Sequence, residues 1–294
     1  MLDRTPAIGG TGNSGPMMIC RLCGGAGKPV PSGGMRCSEC GSISACRLPG
    51  QAELDEFYRT FNQNYAGGGR KEGRSERQDT YAARYLQLVN TYARGTSLVD
   101  VGSSTNPFPN RAKSAGYDVT VVDYVKPAGL AEGIRFVPGS LDSPGDLAGR
   151  FGSSFDVVTA FAVLEHCCYP QKAATALSNL CKPRGVIILT TPEIGEFADA
   201  YAPGRSGWFY PPEHLNLVSR KAVIRLFASA GCSLIASAKF ELNRARWIAR
   251  YGLGLAEGVA GWTLKKAAPE TWERVRNERV ALNQGIAQYI LEKA

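Results

Sequence analysis

Four cysteines near the start of the chain have a spacing that can hold a metal. Cys20 and Cys23 form one C-x2-C pair, and Cys37 and Cys40 form a second after thirteen intervening residues. Glycine follows each pair, in CRLCGG and CSECGS, so the backbone can turn tightly and aim two thiolates at one centre. Two such knuckles complete a tetrahedral sulfur site suited to zinc, and four thiolates leave no open position, which makes the metal structural. So short a stretch cannot bury a core of its own, and metal ligation would supply its folding energy. The competing reading is a pair of disulfides. The opening residues MLDRTPAIGGTGNSGPMM, with neither a basic nor an apolar leader region, speak against it and predict a flexible tail over 1–18 in a cytoplasmic protein. The scattered cysteines Cys46, Cys167, Cys168, Cys181 and Cys232 suit the same reducing compartment.

A second set of candidates lies further along, at the ends of apolar runs. VDVGSSTNPFP ends one run at Asp100 and turns at Gly102 into a small polar loop with Ser103, Ser104 and Asn106. Glycine there permits a tight turn and close approach of a ligand to the backbone. The next run, DVTVVD, ends at Asp123, 23 residues after Asp100. A carboxylate at that distance can accept hydrogen bonds from both hydroxyls of a ribose. A third run leads to Ser140-Leu141-Asp142, where a carboxylate can accept from an adenine amino group. A fourth ends in Phe161-Ala162-Val163-Leu164-Glu165-His166, and a fifth in Thr191-Pro192-Glu193. One acidic strand end is commonplace, but several at successive ends predict a nucleoside-type ligand.

The elements that must position these residues read clearly between 96 and 240. SLVDV, DVTVVD, IRFVPG, FDVVTAF and GVIILTT are short, β-branched and apolar. They alternate with the helical runs PNRAKSAG, SPGDLAGRF and PQKAATALSNLC, and SRKAVIRLFASAG and CSLIASAKF add a helix and a strand. Apolar strands joined by helical crossovers predict an α/β, Rossmann-like, doubly wound and mainly parallel sheet, with its ligand beyond the carboxyl ends of the strands. Before this domain, 19–47 would be a zinc ribbon and 48–95 a helical connector or lid. Within that connector, helices over 51–61 and 78–93 flank a glycine- and charge-rich segment. After it, 241–294 reads as a helical extension, with Trp272, Val275, Leu282, Ile286 and Tyr289 near one stripe that could serve a homodimer.

Composition sets outer limits. Of 294 residues, 44% are hydrophobic and 20% charged, as in ordinary globular chains. No apolar run reaches the ~18 residues of a spanning helix. The net charge of +8 divides as +4 over residues 1–95, zero over 96–238 and +4 over 239–294. Basic flanks suit an anionic substrate, such as a phosphate, a nucleotide-linked sugar or RNA, though many solvated surfaces are equally basic. Nucleic acid is not expected, because GGGRKEGRSER mixes its arginines with glutamates and holds no interleaved aromatics.

From roughly residue 78 to 240 the chain resembles the class I S-adenosylmethionine-dependent methyltransferases. The likeness rests on VDVGSSTNPF, VVDY, GSLDS and FDVVTAFAVLEHCCYP, and on PPEHLNLVSRKAVIRLFASAGCSL. Asp156 and the LEH segment point to the small-molecule branch. Some of its members carry an N-terminal zinc ribbon, including sugar C-methyltransferases, which are longer. The family loop is richer in glycine than this one, and the family's seventh, antiparallel strand is not evident after CSLIASAKF. The resemblance implies S-adenosylmethionine as cofactor. Asp100 and Gly102 to Asn106 would line its methionine part, Asp123 its ribose, Tyr124 and Leu141 its adenine faces and Asp142 the adenine amine. Phe161, Ala162 and Glu165 would close the pocket. The chain has two histidines. His214 and His166 are the candidates for catalytic base or substrate contact. Tyr201, Trp208, Phe209 and Tyr210 could wall the substrate or simply pack their loop. The resulting expectation is a methyltransferase for a small metabolite, with a sugar or glycan precursor favoured. An RNA methyltransferase, or a zinc-ribbon binding protein with a vestigial cofactor fold, is the alternative.

Overall fold

The computed structural model describes residues 18–30, 33–50, 52–54, 56–57, 71–142, 145–194, 209, 211–239 and 286–294. Strands β1 (Met18–Ile19), β2 (Ala26–Val30), β3 (Gly34–Cys37) and β4 (Ile43–Ala45) make an antiparallel sheet around the four cysteines. Its fifth strand comes from far along the chain: β10 (Asn216–Leu217) pairs antiparallel with β4, Asn216 opposite Ser44 and Leu217 opposite Ile43. The ribbon expected over 19–47 is therefore completed by the larger unit.

That unit holds helices α1 (Lys71–Tyr92), α2 (Phe108–Ser114), α3 (Gly145–Phe151), α4 (Pro170–Leu180) and α5 (Arg220–Ala228). Its remaining strands are β5 (Ser97–Val101), β6 (Asp118–Asp123), β7 (Arg135–Pro138), β8 (Phe155–Phe161), β9 (Cys181–Pro192), β11 (Cys232–Lys239) and β12 (Ile286–Lys293). They form one seven-stranded sheet in the order β11-β12-β9-β8-β5-β6-β7. β5 to β9 run parallel, and β12 lies antiparallel to both β9 and β11. Side chains alternate between the faces of the sheet. Val99, Val158, Ile187 and Leu189 pack with Leu177 of α4 and Phe227 of α5. On the other face Leu98, Val121, Val157 and Ile188 pack with Tyr85 and Val89 of α1 and Ala112 of α2. Each such side chain removed from water contributes about 1.5–3 kcal/mol, which keeps the strand ends in register.

Two expectations need correction. The C-terminal segment is not helical where it is described: Ile286–Lys293 is the antiparallel seventh strand. Its sequence IAQYILEK fits a helical stripe, but a slot between β9 and β11 bonds its backbone on both sides. Ala287, Tyr289 and Leu291 enter one core and Ile290 the other. Burial on both faces outweighs the local preference. Residues 241–285, with Trp272, Val275 and Leu282, lie outside the described residues, as do the tail 1–17 and Tyr201, Trp208 and Tyr210. The helix expected over 78–93 begins seven residues earlier, at Lys71. Lys, Glu and Arg are strong helix formers, and the single Gly73 costs only about 1 kcal/mol against them. Of the helix expected over 51–61, residues 52–54 and 56–57 are helical.

Candidate cofactor and acceptor site

The carboxyl edge of the parallel strands begins with Asp100, which is buried. Its carboxylate accepts from the Thr159 hydroxyl at 2.6 Å and from the Ser103 hydroxyl. Burial pushes its pKa up to about 6, against the lowering effect of these two hydrogen bonds. Gly102 has φ +76° and donates its amide to Val122 at 2.8 Å. A Cβ at this position would stand 2.7 Å from Cγ2 of Val163. Ser104 is also left-handed, at φ +49°, and its amide donates to Asp123 Oδ2 at 2.8 Å. Asn106 accepts from the amide of Phe108 at 2.9 Å and so starts α2. The loop is held without the further glycines because Ser103 and Asn106 bond to the chain itself.

Asp123 also accepts from the amide of Tyr124 at 2.7 Å, and burial raises its pKa. Tyr124 is largely exposed, and its hydroxyl accepts from Ser140 at 2.7 Å. Ser140 in turn accepts from the Asp142 amide at 3.1 Å, tying the second strand end to the third. Leu141 is buried in the core beside these residues. The two oxygens of Asp142 accept from the amides of Cys168 and Tyr169, each at 3.0 Å. Asp142 thus anchors the entry to α4, at Pro170.

At the end of β8 the ring of Phe161 stacks on Tyr85 of α1 with centroids 3.8 Å apart and meets Phe108 edge-on at 5.0 Å. The ring of Phe161 thus packs against α1 and α2. Ala162 follows at φ +55°, a strained conformation for a residue with a Cβ and one that collects at functional sites. A short 3-10 turn, Leu164–His166, then buries Glu165, of which 1% is exposed. Burial pushes the Glu165 carboxyl up to about 8, and its Oε2 has no hydrogen-bond partner. His166 Nδ1 lies 2.9 Å from the carbonyl oxygen of Glu213. A carbonyl only accepts, so Nδ1 carries the proton and Nε2 is left with its lone pair. Burial, then the neighbouring His214, lowers the His166 pKa to about 3. His214 is buried and its ring stands edge-on to that of His166, with centroids 4.6 Å apart. Ligand atoms of Glu165, His166 and His214 all lie within 4.8 Å of one another.

The other such cluster is the expected one. Cys20, Cys23, Cys37 and Cys40 bring their sulfurs within 4.8 Å, none of them in a disulfide. Cys20 and Cys40 are 3.8 Å apart and Cys23 and Cys37 3.5 Å. Zinc–sulfur bonds of ~2.3 Å around a tetrahedral ion place sulfurs about 3.8 Å apart, so the donor set fits zinc. The hydrogen bond from the Cys20 thiol holds the Cys40 thiol well below its ordinary range.

All four acids of the strand ends β5 to β8, Asp100, Asp123, Asp142 and Glu165, reach the same sheet edge, and both histidines join them. Sequence reasoning missed Thr159, which shapes the Asp100 loop; β8 alternation places it inward, but its partner is fixed only by β5–β8 register. It also missed Glu213, whose carbonyl sets the His166 tautomer. Asp156, singled out in FDVV, works at the opposite edge, accepting from Ser97 and Lys182. Phe209 packs into the apolar cluster of Ile43 and Leu217 under the ribbon. A cavity of about 550 Å³ is bordered by α1 and α2 residues, including Asp79, Asn110 and Arg111, not by the strand-end acids.

Residues 74–237 match the family described as methyltransferase domain, and the chain belongs to that family. The ubiquinone biosynthesis O-methyltransferase of Xanthomonas axonopodis pv. citri is 30% identical over 152 residues, 48% of this chain and 61% of that protein. The chain thus spans about three-fifths of the length of the curated relatives it matches. Among solved structures, the [4+2]-cyclase SpnF superposes with a TM-score of 0.56 at 18% identity, covering 84% of this chain and 97% of that one. A Burkholderia thailandensis 1,6-didemethyltoxoflavin-N1-methyltransferase, with 1,6-didemethyltoxoflavin and S-adenosylhomocysteine bound, gives 0.54 at 15% identity, over 87% and 96%. These likenesses establish the class I methyltransferase fold.

Proposed function

We propose that this chain moves a methyl group from S-adenosylmethionine to a small metabolite, a sugar or glycan precursor, by direct in-line displacement. When bound, that cofactor supplies a methyl already activated on a sulfonium, so the protein's task is alignment and removal of the acceptor's proton. The observation that carries the reading is the bond from the Ser104 amide to Asp123, which joins the first strand's loop to the second strand's acid on one edge. Each carboxylate oxygen can accept twice, so Asp123, facing the amides of Ser104, Tyr124 and Val125, keeps acceptor capacity for a ribose hydroxyl. Asp142 keeps the same capacity for an adenine amine, and the exposed ring of Tyr124 offers a face beside it. Asp100, with Ser103 and Gly102, borders the methionine end. Glu165, His166 and His214 stand at the acceptor end, where the proton must leave. The names of the Xanthomonas relative and the Burkholderia structure support small-molecule acceptors.

Because one solved protein of this fold is a cyclase, cofactor binding has to be measured. Titration calorimetry with S-adenosylhomocysteine should give micromolar binding to the full chain, lost in Asp123→Ala. Absence of binding by the wild type would leave a zinc-ribbon binding protein on a vestigial fold. Strong RNA binding that weakens steeply with salt would move the acceptor to nucleic acid.

A further inference from the structure

We propose that Glu165, His166 and His214 form a second metal site, one that takes a divalent first-row transition ion such as zinc. The inference rests on the methyl-transfer reading for its role, though not for its geometry. The chain contains two histidines, and both stand beside the same buried carboxylate. The Glu165 carboxylate is removed from water with Oε2 left without a hydrogen-bond partner. A buried carboxyl oxygen without a partner is unfavourable, and a cation bound there would offset that loss. The tautomer of His166 is already set for ligation, since the Glu213 carbonyl holds the proton on Nδ1 and leaves the Nε2 lone pair free. Histidine ligands are commonly oriented by such an outer carbonyl. Two imidazoles and one carboxylate are the donors that borderline divalent ions select. Ligands at ~2.1 Å stand about 3.4 Å apart around a tetrahedral ion. From within 4.8 Å, side-chain shifts of about an ångström shared among three residues would close the site.

Three protein ligands leave a coordination position open, which separates this site from the closed cysteine cluster. An acceptor hydroxyl placed there would lose its proton to bulk water at a lower pH than when free. Its oxygen pair would then form the O–C bond to the methyl carbon while the C–S bond breaks, the bonding pair passing to sulfur to leave a neutral thioether. The metal keeps its oxidation state, and the histidines serve as ligands in place of accepting the proton directly.

The test uses full-length protein stripped with a chelator, reloaded with Co2+ or Zn2+, passed through gel filtration and assayed for metal. The wild type should hold one equivalent more than Glu165→Gln, His166→Ala or His214→Ala. Cobalt in the wild type should add weak d–d bands, lost in these variants, to the intense thiolate charge transfer of the cysteine site. Equal metal in the wild type and all three variants, or a cobalt spectrum with thiolate bands alone, overturns the proposal. S-adenosylhomocysteine titration runs in parallel. If the extra equivalent is present without homocysteine-nucleoside binding, the metal site stands and the methyl-transfer reading falls. Cofactor binding without the extra equivalent gives the reverse.

Discussion

The amide of Ala45 donates to the carbonyl of Leu215 at 2.8 Å, so the ribbon ends on the residue after His214. The contact is not isolated. β4 pairs with β10, the Ser219 hydroxyl that caps α5 donates to the Cys40 carbonyl, and Lys221 donates to the Glu39 carbonyl at 2.7 Å. A metal that holds the four cysteines therefore also holds the loop carrying His214. The strand ends at Asp100 and Asp123 are held by the β5–β6 backbone pairing instead. Chelation or Cys37→Ser should speed amide hydrogen exchange across 214–219 by at least tenfold and leave 97–123 unchanged. S-adenosylhomocysteine affinity should stay within about threefold. Unchanged exchange at 214–219 would show that the ribbon is a mere appendage.

Gly102 and Ser104 are both left-handed but are constrained differently. A side chain at Gly102 meets Val163 at 2.7 Å as well as the backbone penalty. Ser104 projects outward, and what it gives Asp123 comes from its amide, which any residue but proline supplies. Gly102→Val should cost about 2–4 kcal/mol by combined strain and overpacking, and weaken S-adenosylhomocysteine at least tenfold. Ser104→Gly should keep cofactor affinity within threefold and change stability by less than ~1 kcal/mol, either way. Thermal melts with and without the ligand separate the two outcomes; equal damage from both changes would mean that the loop moves on binding.

The buried Asp100 makes stability depend on pH in a predictable direction. Its folded pKa of about 6 lies above the ~3.9 of an unfolded aspartate, so the native state binds more protons between these values. The stability it contributes is present in full below about pH 4 and is lost as pH rises through 6, on the order of 2–3 kcal/mol. Asp100→Asn keeps an acceptor oxygen for one of the two hydroxyls, turns an amide NH2 toward the other, and does not titrate. Urea unfolding should show the wild type losing stability relative to the variant from pH 4 to 6 and running parallel above 7. Parallel profiles throughout would contradict a raised pKa.

What could be read in the sequence followed from period and chemistry. SLVDV, DVTVVD and FDVVTAF are β-branched runs that fit only buried strands, and parallel crossovers force their ends to one edge, so Asp100, Asp123 and Glu165 were legible as neighbours. The cysteine spacing likewise admits few geometries. Partners chosen by tertiary contact were not legible. Nothing local says that Asp142 spends an acceptor on each of Cys168 and Tyr169, or that the ring of Phe161 stacks on Tyr85. His166 and His214 are 48 residues apart and meet because β10 crosses to the ribbon, a two-residue strand too short to leave a pattern.

The strand β12 shows the same limit and carries the sharpest test of the fold. IAQYILEK alternates well enough for a strand and repeats well enough for a helix; the slot between β9 and β11 decides. Tyr289 is fully buried there, and its hydroxyl donates to the buried carboxylate of Glu193 just past β9. Tyr289→Phe keeps the ring and removes that donor, so it should cost about 1–3 kcal/mol and leave the circular dichroism of the native state unchanged. Tyr289→Ala also opens a cavity and should cost about 3–5 kcal/mol, a large part of a typical domain's total stability. Ending the chain at residue 285 takes away both neighbours' backbone partners, and with them the hydrogen bonds of β9 and β11 along the shared register. That protein should fail to show a cooperative melt. A truncated chain that melts like the wild type would mean that the last strand merely decorates the sheet and that the central order is self-sufficient without it.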